Sequence, residues 1–453
     1  MLQIRKNIIA HTVKLVLLFL LYCCALTSIV NTQWRLLEAT KGFRIYDIDV
    51  YRGNPDTMYA LADNYFLRSF DAGTHWDTFP SPKKNILYGQ IKIDAFHSKI
   101  IYASIEPYVN FDPGANYVMM TKDGGMSWDS LFYSRDWTSC LVEISPSHLN
   151  KVFVGVGSGM IKYTTNQGLS WSDLGYIPTL GLSSLAIDPF NDSIMYVGTY
   201  SGIYKSYNAG TSWSAISIGA AINWSTVFSI DPINNNNIYL AYWSNGVFKS
   251  TDAGFSWSEF NSELTNNDLG LLTIFIHPEK NNEVYIGIYQ AAHRLLFKSE
   301  NAGENWIIKN EGLPEIGGVF SLAFDVNRNL MFAGVNSEDQ DSSGVYFFNG
   351  ISTVNERRNT PNQNEVLFNY PNPFNSSTEI SYQISKPSFT SIEVFDITGR
   401  RIKVLKNKTE NAGNYTVKFV ADNLPSGIYF VRLQAKTTDG QQFTATKKML
   451  LTK

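Results

Sequence analysis

Four acidic residues in predicted loops could supply acid–base chemistry: Asp63, Glu106, Asp112 and Asp136. A glycoside hydrolase places two carboxyl groups across the bond it cleaves, one as general acid and the other as base or nucleophile. Asp63 and Glu106 each follow the second strand of a repeated unit, so we expect them in neighbouring units on one face of the molecule. Their spacing does not distinguish a catalytic pair from ordinary loop acids. Hydrolysis is therefore the alternative to simple binding.

Aromatic residues at the same position of other units could bind a ligand. Across seven units the aligned residues are Asp63, Glu106, Gly157, Tyr200, Trp243, Tyr289 and Asn336. Tyr200, Trp243 and Tyr289 could stack on sugar rings or dock a peptide. We expect Trp137 and Trp224, in loops after fourth strands, on the same face. The simpler interpretation is that these rings pack the loops against one another.

Other chemistries lack support in the sequence. The six histidines show no paired ligand spacing, so we predict no metal site. No phosphate loop or nucleophile turn is present, and no cofactor is predicted. A formal net charge of −3 without a long basic stretch gives no indication of nucleic-acid binding.

A repeated eight-residue turn indicates the strands that must position these residues. Six copies read Ser or Thr, any residue, Asp or Asn, any residue, Gly, any two residues, and Trp. Asp or Asn can bond back to backbone amides, Gly can adopt positive φ, and Trp anchors the next strand. We interpret the key residues as structural: Asp71, Trp76, Asp123, Trp128, Asn166, Trp171, Asn208, Trp213, Asp252, Trp257, Asn301 and Trp306.

Around each turn the sequence predicts four short strands, the composition of one propeller blade. The second-strand signal occurs seven times, and the seventh unit ends at residue 350 without a turn or a fourth strand. The segment Gln33–Leu37 resembles that missing strand. We therefore predict an all-β protein with a seven-bladed β-propeller over residues 33–350, closed by its N-terminal strand. A six-bladed ring is the alternative.

The turns resemble the Asp-box (BNR) repeats of sialidase-type and related propellers, including sortilin-like receptors and xyloglucan hydrolases. This resemblance implies the fold and places the turns away from the ligand face. A sialidase would also need three arginines to clamp a carboxylate. Phe43-Arg-Ile-Tyr46 is similar to the start of that family, but Tyr46 replaces its proline. The propeller contains seven arginines, of which few are expected in the required loops.

Both ends of the chain differ in composition from the repeats. Arg5, Lys6 and Lys14 precede the apolar run 15–30, which is typical of a secretory signal peptide. We place the signal at residues 1–25 and predict no membrane span after its removal; a retained anchor is the alternative. Residues 351–365 are polar and predict a linker, followed by a small Ig-like β-sandwich over 366–453.

This last segment resembles the type A C-terminal sorting domain of the bacterial type IX secretion system. Four segments carry the resemblance, namely Tyr370–Phe374, Val394–Gly399, Leu424–Tyr429 and Lys447–Leu451. It implies interaction with the type IX machinery through residues 366–453, and export through the periplasm of a Bacteroidetes–Chlorobi-type bacterium. An adhesive Ig-like module is the alternative.

Together these features predict a secreted or surface propeller that binds a carbohydrate or a protein. A xyloglucanase- or sialidase-like hydrolase is the competing prediction, and a purely structural surface protein is the third.

Overall fold

A computed structural model describes residues 33–452 of the 453-residue chain, apart from several short segments. The omitted positions are 96, 108–115, 135–139, 147, 149–150, 157–158, 180, 220–225, 244, 265–269, 291–294, 350–366, 371–373, 385, 412, 422 and 438–441. The predicted signal peptide and linker, as well as Asp112, Asp136, Trp137, Trp224 and Gly157, therefore lie outside the described residues.

Seven four-stranded antiparallel units form the propeller. Blade 1 contains β2 (Ile45–Val50), β3 (Met58–Ala62), β4 (Tyr65–Ser69) and β5 (Asp77–Pro80). Blade 2 contains β6 (Ile86–Ile93), β7 (Ile101–Pro107), β8 (Asn116–Thr121) and β9 (Asp129–Ser134). Blade 3 contains β10 (Leu141–Ile144), β11 (Val152–Val156), β12 (Met160–Thr164) and β13 (Ser172–Tyr176). Blade 4 contains β14 (Leu182–Ile187), β15 (Met195–Thr199), β16 (Gly202–Ser206) and β17 (Ser214–Ile216).

The remaining blades follow the same order, and the last takes one strand from the start of the chain. Blade 5 contains β18 (Thr226–Ile230), β19 (Ile238–Tyr242), β20 (Gly246–Ser250) and β21 (Ser258–Glu259). Blade 6 contains β22 (Leu271–Ile276), β23 (Val284–Gln290), β24 (Leu296–Ser299) and β25 (Ile307–Ile308). Blade 7 contains β26 (Gly317–Asp325), β27 (Leu330–Ser337), β28 (Gly344–Asn349) and β1 (Arg35–Leu36). Two 3-10 helices, η1 (Glu38–Thr40) and η2 (Gln340–Ser342), lie beside this closure.

The first strands line a central channel. Each first strand contacts the first strands of both neighbouring blades, and these contacts run in a closed circuit from β2 to β26 and back to β2. Ring closure is made by β1, in which Arg35 pairs with Phe347 and Leu36 with Tyr346 of β28. The predicted seven-bladed ring with an N-terminal closing strand is therefore confirmed, and the six-bladed alternative is wrong.

The six repeated turns share one hydrogen-bonded geometry. In the first, the Ser69 hydroxyl accepts the Gly73 N–H at 2.8 Å, and Asp71 Oδ1 accepts the His75 N–H at 2.8 Å. Positive φ falls on two consecutive residues, Ala72 at 58° and Gly73 at 84°, rather than on glycine alone. The same pair of positive φ values occurs in all six turns.

These turns also connect neighbouring blades. The carbonyl of Ala302, in the blade 6 turn, accepts the Tyr239 hydroxyl at 2.9 Å and the Lys249 ammonium at 2.8 Å, both from blade 5. Tyr196 and Lys205 of blade 4 bond to the Ala253 carbonyl of blade 5 in the same way. The left-handed backbone of each of these two turns exposes a carbonyl oxygen. This oxygen accepts hydrogen bonds from Tyr and Lys side chains of the preceding blade.

The C-terminal unit is a sandwich of two antiparallel sheets. One contains β29 (Leu367–Tyr370), β30 (Ser377–Ile384) and β33 (Gly413–Val420). The other contains β31 (Ser388–Asp396), β32 (Arg401–Glu410), β34 (Gly427–Thr437) and β35 (Gln442–Leu451). Alternate side chains from both sheets fill a core that includes Phe374, Ile392 and Val431. Tyr429 fixes the entry to β34 through its hydroxyl, which donates to the Pro425 carbonyl at 2.9 Å.

Candidate functional site

The loops after the second and fourth strands of every blade open on one face of the propeller, here called the mouth face. The repeated turns join third and fourth strands and therefore lie on the opposite face, here called the turn face. Asp63, Tyr200 and Trp243 directly follow second strands, while Glu106, Tyr289 and Asn336 lie in the last residues of longer second strands. All six belong to the mouth face.

Three of these residues lie within electrostatic range of a fourth, Tyr88, that the sequence analysis missed. Tyr88, in the first strand of blade 2, interacts electrostatically with Glu106, Tyr200 and Tyr289. We call these four residues the mouth cluster; they come from blades 2, 4 and 6. Tyr88 and Tyr289 are 46% and 45% exposed, so their rings are accessible from the channel mouth.

The hydroxyl of Tyr88 lies in a protein-dense environment even though much of its ring is accessible. Desolvation, followed by the field of Glu106, raises the pKa of Tyr88 above its ordinary value. The phenol therefore stays protonated and can donate a hydrogen bond at any physiological pH. The cluster offers flat apolar ring surfaces, hydroxyl donors and one carboxylate acceptor.

An aromatic contact path continues from the mouth cluster through blade 7 to blade 1. The rings of Tyr289 and Phe320 meet edge to face at 6.3 Å, and those of Phe320 and Tyr46 at 5.6 Å. Tyr46 and Phe320 are each the extra residue of a β-bulge in a first strand. Bulges re-aim side chains and are common next to functional sites. These two bulges explain why strict strand alternation does not locate the residues.

Trp243 has a different setting from the exposed rings. It is half-buried, and its carbonyl accepts the Gly270 N–H at 2.6 Å, which ties the second strand of blade 5 to blade 6. Two of the sequence-predicted aromatic residues, Tyr200 and Tyr289, interact electrostatically with Tyr88.

Asp63 lies in a separate recess beside the closing strand, here called the junction pocket. This cavity of about 150 Å³ is lined by residues 41–44, 62–65 and Gln340. Phe43 and Tyr65 form an edge-to-face pair at 5.3 Å on its wall. The Gln340 side chain donates to the Gly42 carbonyl at 3.1 Å, which holds η2 against the segment before β2.

The Asp63 carboxyl group lies beside the start of blade 1. Tyr46 and Arg44 are both close enough to it to favour its charged form. Burial outweighs both effects and raises the pKa of Asp63 above its usual value. Asp63 Oδ1 is buried and has no hydrogen-bond partner among the described residues.

Deeper in the channel the walls of blades 1 to 3 carry a charged cluster. Lys92 Nζ lies 2.9 Å from Glu143 Oε2, and it also interacts with Asp47 and Asp49. Burial lowers the pKa of Lys92, but these three carboxylates outweigh burial and raise it. Burial raises the pKa of Asp47 to about 7, although Lys92 and two backbone N–H groups oppose the shift.

The described arginines do not form a three-arginine clamp at the mouth. Arg44 lines the junction pocket, while Arg68 pairs with Asp77 and Arg328 with Asp325 on other parts of the propeller. Within the described ranges, no group of three or more His, Cys, Asp or Glu residues could hold a metal ion. No helix in the described part of the chain is long and apolar enough to cross a membrane.

Comparison with known proteins supports the architecture of both units. Residues 369–450 match the model of the secretion system C-terminal sorting domain. This identifies the tail as a type IX secretion sorting domain and the chain as a secreted or cell-surface protein. No curated protein matches the sequence of the whole chain.

Similar solved structures are β-propellers with low sequence identity. A GH74 xyloglucanase from Xanthomonas campestris has a TM-score of 0.55 at 12% identity, covering 91% of this chain and 81% of that one. A GH74 enzyme from Niastella koreensis has a TM-score of 0.52 at 15% identity, covering 91% and 67%. YCF48 from Cyanidioschyzon merolae has a TM-score of 0.53 at 13% identity, covering 70% and 98%. At these identities the similarity establishes the fold alone.

Proposed function

We propose that this protein is a secreted carbohydrate-binding propeller whose mouth cluster holds a polysaccharide. The observation that carries the proposal is the group of accessible tyrosines beside one carboxylate at the channel mouth, with Tyr88 and Tyr289 each nearly half exposed. Carbohydrate sites combine flat aromatic surfaces for the apolar faces of sugar rings with a few placed polar groups for their hydroxyls. A peptide is the competing ligand.

The chemistry of the cluster favours a sugar over a peptide. The phenol of Tyr88 is a donor and the carboxylate of Glu106 an acceptor, so adjacent groups could bond to vicinal hydroxyls. Two of the three structures compared above are GH74 enzymes, which makes xyloglucan a reasonable first polysaccharide to test. Xyloglucan is therefore the first member of a panel of polysaccharides to be tested.

The proposal is tested by affinity electrophoresis of the full-length exported protein in gels containing xyloglucan, β-glucan, arabinoxylan or pectin. We expect retardation by at least one polysaccharide and a loss of about tenfold in affinity for Tyr88→Ala and Tyr289→Ala. Tyr207→Ala is the matched control, because Tyr207 is 54% exposed on the turn face. Equal retardation of all three variants, or retardation of none including the parent protein, would contradict the proposal.

Hydrolysis is the second candidate, and the environment of Asp63 is the observation that favours it. A carboxyl group with a raised pKa can serve as a general acid, and Glu106 on the next blade could act as the second carboxylate. Release of reducing sugar, abolished by Asp63→Asn or Glu106→Gln, would establish this activity and replace the binding-only proposal. Intact polysaccharide after prolonged incubation would exclude it for that substrate.

The export route completes the proposal. We infer that residues 1–25 direct the chain to the periplasm of a Bacteroidetes–Chlorobi-type bacterium and that residues 366–453 engage the type IX machinery. Removal of residues 366–453 should trap a folded propeller in the periplasm. Normal appearance of that truncated protein at the cell surface or in the medium would rule out the role of the tail.

A further inference from the structure

The charge of the chain is divided unequally between its two units. Residues 33–349, which form the propeller, contain 20 Lys and Arg against 32 Asp and Glu, a formal net charge of −12. Residues 366–453, which form the tail, contain 12 Lys and Arg against 6 Asp and Glu, a formal net charge of +6. The overall charge of −3 therefore conceals two tethered units of opposite sign, which attract each other where salt does not screen them.

The outer face of the four-stranded sheet in the tail combines basic residues with aromatic rings. Phe395 of β31 pairs with Arg401 of β32 and with Phe430 of β34. The Arg432 guanidinium lies 4.4 Å from the centre of the Phe395 ring. Phe389, on the same side of β31, is 50% exposed. We call these five residues the tail face.

The tail face differs from an ordinary solvent-facing sheet. Lys436 and Lys448 pair with its rings across strands, and its one acid, Glu393, lies 2.8 Å from Arg401. On the other outer face of the sandwich, Glu379 pairs with Lys418. Antiparallel sheets usually present polar residues to solvent, whereas aromatic residues and arginine are enriched in protein interfaces. The tail face therefore has the composition of a protein-binding surface.

Blade 6 departs from the other repeats at its turn. The second and sixth residues of this turn are Glu300 and Glu304, whereas no acidic residue occupies either position in the other five turns. Ile307 and Ile308 follow its Trp and are 51% and 44% exposed. The other five fourth strands that follow a turn begin with Asp or Ser. We call these four residues the blade 6 corner; Lys298, 2.8 Å from Glu300, offsets part of its charge.

The chain leaves the propeller beside this corner. β28 ends at Asn349, and the ring of Phe348 lies 5.8 Å from the Nζ atom of Lys309, the residue after Ile308. Residues 350–366 connect β28 to the tail, and a chain of this length spans at most about 60 Å. Such a connection holds two surfaces at an effective concentration on the order of millimolar. A weak contact between the units is then sufficient to bring them together.

The tail also approaches the propeller on this side. Lys447 of β35 interacts electrostatically with Asp325, the last residue of the first strand in blade 7. First strands end on the turn face, and blade 7 is the neighbour of blade 6. The attraction between the two units therefore acts on the turn face, next to the blade that carries the corner.

We infer that the tail face docks on the blade 6 corner of the same chain. The arginines of one surface meet the glutamates of the other, and the phenylalanine rings cover the two exposed isoleucines. The contact leaves the mouth face open, so this inference is independent of the proposed carbohydrate binding. The sorting domain is then held by its own propeller until a competing partner takes its basic face.

Small-angle X-ray scattering of the full-length protein tests the contact. We expect the radius of gyration to increase by several ångströms between about 0.01 M and about 1 M salt, because the Debye length falls from about 30 Å to about 3 Å. The double variant Glu300→Lys, Glu304→Lys should have the larger radius already at low salt. Adding Arg401→Glu and Arg432→Glu to that variant should restore the smaller radius, which an unfolded variant could not do. Lys418→Glu is the matched control and should scatter like the parent.

Three outcomes would overturn the inference. A radius that responds neither to salt nor to the substitutions means that the units do not dock. An apparent mass that rises with protein concentration at low salt assigns the contact to two copies of the chain. Loss of export for the variant Arg401→Glu, Arg432→Glu with an unchanged radius assigns the tail face to the secretion machinery. Retardation by polysaccharide in gels is unaffected in each case, so the carbohydrate proposal stands or falls separately.

Discussion

His277 occupies in blade 6 the position that Asp231 occupies in blade 5, and both cap the same turn. Asp231 Oδ1 accepts the N–H groups of Ile233 and Asn234 at 2.8 and 3.0 Å. His277 Nδ1 accepts those of Glu279 and Lys280 at 3.1 and 3.2 Å. The imidazole must therefore be neutral, with its proton on Nε2.

The first prediction concerns the pH dependence of this cap. Burial lowers the pKa of His277 below its ordinary value. Between that lowered pKa and the unfolded value near 6.5, the unfolded chain binds the proton and the folded one does not, so stability falls as the pH drops through this window. The variant His277→Asp should lose less stability between pH 7.5 and pH 5.5 than the parent, as measured by thermal melting. His277→Ala should cost about 2 kcal/mol, because two N–H groups lose their acceptor.

The second prediction concerns the charged cluster in the channel. Lys92→Met leaves Asp47, Asp49 and Glu143 without their shared cation, and we expect a loss of about 3 kcal/mol at pH 8. The raised pKa of Asp47, about 7, means that its contribution to stability is present below pH 3.8 and is lost as the pH rises through 7. The cost of the substitution should therefore be smaller at pH 5 than at pH 8 in urea titrations.

A surface lysine provides the control for that experiment. Lys280 is half exposed and lies 3.0 Å from Glu283. Lys280→Met should cost no more than about 0.5 kcal/mol at either pH. Equal losses for the two lysine variants would mean that the channel cluster contributes no more than an ordinary surface pair.

The third prediction concerns the lysines that connect blades. Lys249 is 8% exposed and packs against the rings of Tyr239 and Phe260. The equivalent residue of blade 2 is Met120, which is 2% exposed. Lys249→Met should therefore cost less than about 1 kcal/mol, because Tyr239 still bonds to the Ala302 carbonyl. Lys249→Ala should cost about 3 kcal/mol through the cavity it creates. Similar losses of stability for Lys249→Met and Lys249→Ala would show that the charged ammonium group, and not the packing of the side chain, provides the stabilisation.

The fourth prediction concerns Gly318, which lies beneath the aromatic path of the mouth. A Cβ atom at this position would lie 2.9 Å from Phe320 and 3.0 Å from Tyr289. Gly318→Ala should displace both rings and weaken polysaccharide binding several-fold, with about 1 kcal/mol of lost stability. Gly202→Ala is the control, since its Cβ would meet only Tyr204 at 3.8 Å. Unchanged binding in gels by the Gly318 variant would place the ligand elsewhere.

The sequence revealed the scaffold because its signals are local. Each repeated turn lies within eight residues, and the missing fourth strand of the last unit was visible as Gln33–Leu37 at the other end. Tyr88 was missed because a bulge after Ile86 shifts the register of β6, so counting along the strand does not identify which side chains reach the mouth. The junction pocket was missed because Gly42 and Gln340 are 298 residues apart and meet only when the ring closes.

The ring can close only in a chain that contains every strand of the propeller, because the first strand pairs with the last. Six blades can form in order as the chain emerges, but β1 has no partner until β28, at Gly344–Asn349, is available. A chain interrupted anywhere before that point exposes an unpaired strand edge and lacks the pocket at the seam, and such edges invite aggregation or proteolysis. Because the sorting domain follows β28 in sequence, after the linker predicted at residues 351–365, a chain that carries the export tail also contains the strand that closes the ring. Export through the tail therefore selects chains that contain every strand of the propeller.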